Sequence, residues 1–224
     1  MRGLGMAVRR RERDESGISL VELMVAMLIL AIVMLVFSTT LASVQMAVVR
    51  QDNLSRTNDQ VRLAIEQMDR QIRSGQVLFD PAAEGPSTCG LCQAGYTLRV
   101  YTASNANAVA SGGLGRATCV LWRVRSATPY ALESATWDPT SAAVLTPWRV
   151  VATGIVNAAS SIRQPAFTLG SGSRTLDVTF YVNEDLANRS TQTTSVQDSL
   201  TGRNTAAGTP ITICATVPSS LQTT

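Results

Sequence analysis

From Gly17 to Phe37 the chain reads GISLVELMVAMLILAIVMLVF, an apolar run with one acid, Glu22, near its start. This stretch constrains the fold more than any other. A helix rises about 1.5 Å per residue, so the run spans roughly 30 Å, the thickness of a bilayer's hydrocarbon core. Arg2, Arg9, Arg10, Arg11 and Arg13 precede it, and after Glu22 the next charged residue is Arg50. Basic residues stay on the cytoplasmic side of a membrane. The expected topology is a single pass through the inner (cytoplasmic) membrane, amino end inside, with the rest of the chain across it.

A secretory signal peptide has a shorter apolar region, about 7–15 residues, with a small-residue cut site after it. Here the run is longer, carries an acid, and passes through Ser38-Thr39-Thr40-Leu41 into helix-compatible sequence. The expected cut lies on the other side, where Ser16-Gly17 joins a charged leader to the helix; glycine lets a protease approach the backbone closely. A carboxylate inside an apolar helix costs about 2.5–3.5 kcal/mol at mid-bilayer and calls for a partner. Cleavage after Gly17 would give Ile18 a charged α-amine, about 6 Å along the helix from Glu22. Such an amine and carboxylate could neutralise each other within one chain or between staggered neighbours. The plainer alternative is that Glu22 reaches the cytoplasmic headgroups.

The segment Gly17-Ile18-Ser19-Leu20-Val21-Glu22 resembles the class III signal of type IV pilin-like proteins, G|(F/I)(S/T)L(V/I)E. That family includes major and minor pilins, type II secretion pseudopilins and competence pseudopilins. The resemblance implies cleavage after Gly17 by a prepilin peptidase and N-methylation of Ile18. It also implies that Glu22 pairs with a neighbouring subunit's N-terminal amine as a filament assembles. The first mature residue would be Ile rather than the commoner Phe, and the helix lacks the proline that major pilins often carry in its second half. Both features favour a minor pilin or pseudopilin over a major pilin. The implied partners are the prepilin peptidase, other pilin or pseudopilin subunits, the membrane and an inner-membrane assembly platform.

The 224 residues, 45 % hydrophobic, suffice for one ordinary domain beyond the membrane helix. Net charge is only +3, much of the basic excess lies in the leader, and aromatic content is 5 %, so nothing marks a nucleic-acid surface. Every basic residue is arginine, and histidine is absent. That excludes a Ser-His-Asp arrangement and most zinc and non-haem iron sites. An enzyme is not expected, though carboxylate or cysteine chemistry stays open; no cofactor is expected.

Beyond the run, Val44, Val48, Leu54, Val61, Ile65, Met68 and Ile72 recur at helical spacings and predict one apolar stripe. The predicted helix runs from about Ile18 to Ser74, about 85 Å at the standard rise, and Ser74-Gly75 is its stop. Its second half reads as a core helix rather than a coiled coil, because Gln51 and Asn58 interrupt a strict heptad. Strands are predicted at Tyr96–Thr102, Ala117–Val124, Trp148–Ala152, Ala166–Leu169, Thr175–Val182 and Thr194–Leu200. The expected fold class is α+β: a long N-terminal helix, membrane-spanning in its first half, packed on an antiparallel β-rich head. The expected division is a leader at 1–17, a transmembrane and assembly helix at 18–41, its amphipathic continuation at 42–75, the head at 76–204 and a tail at 205–224.

Four cysteines, Cys89, Cys92, Cys119 and Cys214, lie on the expected outer side and suggest disulfides, with three pairings possible. One arrangement ties a strand-like segment around Cys214 to the strand holding Cys119, leaving Cys89-Gly-Leu-Cys92 to close its own small loop. Cys-x-x-Cys also admits a redox reading, but a thioredoxin-like site needs a helix N-terminus after a strand. Glu184-Asp185 reads as a solvated turn, and Gly112-Gly113-Leu-Gly115 lacks the Lys-Ser/Thr of a phosphate loop. Trp122, Trp137 and Trp148 look exposed and could form a ligand platform, against the commoner alternative of strand-face packing. Two function classes follow. One is a structural subunit of a type IV pilus or type II secretion-like filament, located in a periplasmic or cell-surface fibre. The other is a membrane-anchored extracytoplasmic enzyme or redox protein. DNA or surface binding by the head has no support in the residues themselves.

Overall fold

The computed structural model describes residues 19–102, 117–170, 174–183, 186, 192–202 and 212–222. The chain forms two compact units, Met1–Arg50 and Gln51–Thr224. A single helix, α1, covers Leu20–Arg73. Neither glycine nor proline interrupts it, and either would cost about 1–3 kcal/mol in a helix interior. In the first unit the side chains from Leu20 to Val49 are exposed on every face. From Gln51 onward α1 buries one stripe, Thr57, Val61, Ala64, Ile65, Met68, Gln71 and Ile72. Val44 and Val48 continue that stripe in sequence but are exposed. The helix ends where Ser74 Oγ donates back to the Arg70 carbonyl at 2.7 Å. Gly75 follows at once, and a Cβ there would lie 3.0 Å from the Gln71 carbonyl oxygen and 3.1 Å from that of Ile72. Glycine is what lets the chain leave the helix directly into a strand.

Strands β1 (Gly75–Leu78), β2 (Thr97–Thr102), β3 (Thr118–Val124), β4 (Ala131–Trp137) and β5 (Val144–Thr153) form a five-stranded antiparallel sheet in chain order. Strands β6 (Phe167–Leu169), β7 (Thr175–Val182) and β8 (Thr194–Thr201) form a three-stranded antiparallel sheet. The fold class is α+β, as the sequence leads one to expect. Leu98, Val100, Val120, Trp122, Val124 and Leu132 of the larger sheet share one core with the buried stripe of α1. Leu176, Val178, Phe180 and Val182, at alternate positions of β7, close the same core. Each such side chain contributes about 1.5–3 kcal/mol by leaving water. Phe167 meets Phe180 edge to face with ring centroids 5.8 Å apart. Trp122 Nε1 donates to Gln71 Oε1 at 2.9 Å, so the buried indole N–H and the Gln71 carbonyl oxygen are paired where helix meets sheet.

A strand with one covered face alternates buried and exposed residues, yet β3 is buried at all its positions. The reason is a second core on the far face of the sheet. Leu121, Ala135 and Trp137 pack there with Val77, Phe79, Cys89 and Cys92, and with Cys214, Val217 and Leu221 from the C-terminal segment.

Several expectations change. β1 and β4 are strands beyond those expected; β4 is Ala-Leu-Glu-Ser-Ala-Thr-Trp, whose composition is weak in strand formers. β5 begins earlier than Trp148, at Val144. Residues 212–214 form a turn rather than a strand, with Cys214 at φ 59°. Trp122 and Trp137 are fully buried and Trp148 half-buried, so strand-face packing, not a ligand platform, accounts for the tryptophans.

Candidate functional site

The apolar end of α1 is built from its cap upward. Ser19 Oγ accepts the Glu22 N–H at 3.2 Å, and the Ser19 carbonyl accepts the Leu23 N–H at 3.2 Å. Ser19-Leu20-Val21-Glu22 has the S-x-x-E spacing of a capping box, but among the described residues only its serine half is formed. Glu22 stands in the first turn, where the helix dipole favours an acid. Its carboxylate is joined to no other described residue. Gly17 and Ile18 lie outside the described residues.

Just beyond the run, three hydroxyls bond back within the helix. Thr39 and Thr40 Oγ1 each donate to the Val36 carbonyl at 2.9 Å, and Ser43 Oγ donates to the Thr40 carbonyl at 2.7 Å. Such back-bonding suits polar side chains in a lipid-like surrounding, where no water would pair them. By length and composition α1 is apolar enough to cross a membrane.

The four cysteines come together in the second core. Cys89 is bonded to Cys92, and Cys119 to Cys214, with Cα–Cα separations of 5.1 and 5.7 Å. Cys89-Gly-Leu-Cys92 sits among turns between the 3-10 segment Pro81–Ala83 and β2. No helix begins there, so no helix dipole acts on these sulfurs. Arg99 holds the tail from beside that bond: its Nη1 donates to the carbonyls of Cys214 at 2.8 Å and Ala215 at 3.0 Å. Its Nη2 and Nε both reach Glu84 Oε1, at 2.9 and 3.0 Å, and its Cζ lies 4.0 Å over the Phe79 ring. Burial pushes the Glu84 carboxyl above the usual carboxylate range, and the Arg99 charge offsets only part of that. Its Oε2 is buried with no hydrogen-bond partner among the described residues.

A second charged cluster follows from register. Arg123 and Glu133 are directly opposed on β3 and β4, and Arg123 Nε donates to Glu133 Oε2 at 2.7 Å. Arg125 pairs with the other Glu133 oxygen, and Arg123 Cζ lies 3.8 Å over Trp148. Burial lowers the Arg123 pKa against the opposing pull of Glu133. Cross-strand opposition becomes visible only once the strands are paired, which is why the sequence offers no signal for it. Glu184, Asp185, Gly112, Gly113 and Gly115 lie outside the described residues.

Residues 13–38 match the family described as the prokaryotic N-terminal methylation motif, the prepilin signal of type IV pilins. The match supports a type IV pilin-like protein and points to a structural subunit rather than an enzyme. Together, motif and apolar helix indicate membrane anchoring followed by a place in a filament. Comparison with curated proteins gave no match, and neither did comparison with solved structures.

Proposed function

We propose that this chain is a minor pilin or pseudopilin, a structural subunit of a type IV pilus or type II secretion-like filament. A prepilin peptidase cuts after Gly17, and the new amine of Ile18 is methylated. Five arginines hold the leader in the cytoplasm while the head crosses the membrane. The division is a leader at 1–17, an assembly helix at 18–41, its amphipathic continuation at 42–75, a head at 76–204 and a tail at 205–224. An inner-membrane platform draws the subunit out of the bilayer. Pairing of Glu22 with a neighbouring subunit's amine sets register, and lateral burial of the apolar helices holds the fibre.

One observation carries the reading: α1 is apolar on every face from Leu23 to Phe37 and without charge as far as Val49, and this stretch is preceded by a single acid in the first turn within the matched motif. Mass spectrometry of the protein from its own cells tests it. The expected mature species begins at N-methylated Ile18; a chain that retains Met1 would overturn the proposal and favour an uncleaved anchor.

A further inference from the structure

We infer that Ser19 is a positioning residue for assembly: its hydroxyl caps α1 and so leaves the Glu22 carboxylate free for a neighbour's amine. The inference rests on the role proposed for Glu22. The first turn of a helix has four N–H groups with no acceptor in the helix. Left unpaired in an apolar surrounding, each is costly. One of them is the N–H of Glu22 itself, which the Ser19 hydroxyl accepts at 3.2 Å.

Without that oxygen, the strongest acceptor side chain within reach is the Glu22 carboxylate, since every side chain from Leu20 to Phe37 other than Glu22 is apolar. A carboxylate in the first turn is already drawn toward the exposed N–H groups by the helix dipole. Glu22 would then be spent on its own backbone. Ser19 thus acts through Glu22: the cap supplies one acceptor so that the acid need not turn back onto its own backbone and stays directed to a partner outside its own helix.

The test expresses Ser19→Ala, Ser19→Thr, Glu22→Ala and the Ser19→Ala/Glu22→Ala double variant, full length, in cells carrying the chain's own assembly machinery. Three quantities are read: the mass of the mature chain, its amount in the membrane, and its amount in isolated filaments. Ser19→Ala should be processed and inserted as wild type while its incorporation falls about fivefold, the size expected for loss of an N-cap. Ser19→Thr, which keeps the hydroxyl, should restore it. In the Glu22→Ala background the Ser19 change should add nothing. Normal incorporation of Ser19→Ala beside a failing Glu22→Ala would overturn the inference alone. Defective processing of Ser19→Ala would also overturn it, assigning the hydroxyl to the peptidase. Losses that multiply in the double variant would show that Ser19 does not act through the acid. Normal incorporation of Glu22→Ala would remove the proposed role of Glu22, and this inference with it.

Discussion

Arg99 Nη1 donates to the carbonyl oxygen of Cys214 at 2.8 Å, so a side chain on an interior strand grips the C-terminal segment at the residue whose sulfur is bonded to Cys119. Covalent and polar ties therefore act at one point. The tail covers Leu121, Ala135 and Trp137, and its hold depends on a buried cation whose charge is balanced by Glu84.

Arg99→Met should destabilise the head by about 3–5 kcal/mol, because it leaves Glu84 buried without its cation. Adding Glu84→Gln should recover a large part of that loss. Urea unfolding of the full chain in detergent, followed by tryptophan fluorescence, measures both. With Glu84→Gln alone closing the cycle, a double-variant loss equal to the sum of the two single losses would mean that the pair is not coupled.

The raised pKa of Glu84 gives a definite sign with pH. A carboxyl whose folded pKa lies above its unfolded value contributes stability below the unfolded pKa and loses it as pH rises through the folded one. The difference in melting temperature between wild type and Glu84→Gln should move in favour of wild type as pH falls from 7 toward 5. A difference that stays flat or moves the other way would show that Arg99 outweighs burial.

The two disulfides should differ in worth. Cys119 and Cys214 are 95 residues apart, Cys89 and Cys92 only 3. On the chain-entropy account, replacing both members of the long-range pair by serine costs about 5 kcal/mol and of the short pair about 2 kcal/mol. Thermal unfolding of the two double-serine variants should rank them in that order.

Trp122→Phe should cost about 1–3 kcal/mol by leaving Gln71 Oε1 unpaired in the core. Trp122→Phe with Gln71→Leu should be milder than Trp122→Phe alone. A double variant that loses more than the single one would show that the loss comes from packing.

Long periodic stretches were the legible part. The apolar run and the stripe Val61, Ile65, Met68 and Ile72 predict α1 because their period belongs to the chain itself, and Leu176, Val178, Phe180 and Val182 predict β7 by simple alternation. β4 escaped because Glu133 and Ser134 are poor strand formers; its place depends on Arg123 lying opposite Glu133. The Cys214 segment looks like a strand from its β-branched residues, but the Cys119 bond and the Arg99 grip hold it as a turn. The serine cap was legible in principle, as S-x-x-E, and the acid beside it obscured it.

By itself, then, the sequence determined the membrane-length helix, its single acid, the matched signal and the α+β class, all of which depend on neighbours along the chain. Only the tertiary structure decided that the sheet has two buried faces, that four cysteines and Arg99 converge on the tail, and that the tryptophans are packing residues. Those outcomes depend on residues as far apart as Arg99 and Cys214. No local pattern encodes such a pairing; it exists once folding has repaid the entropy of bringing the two together.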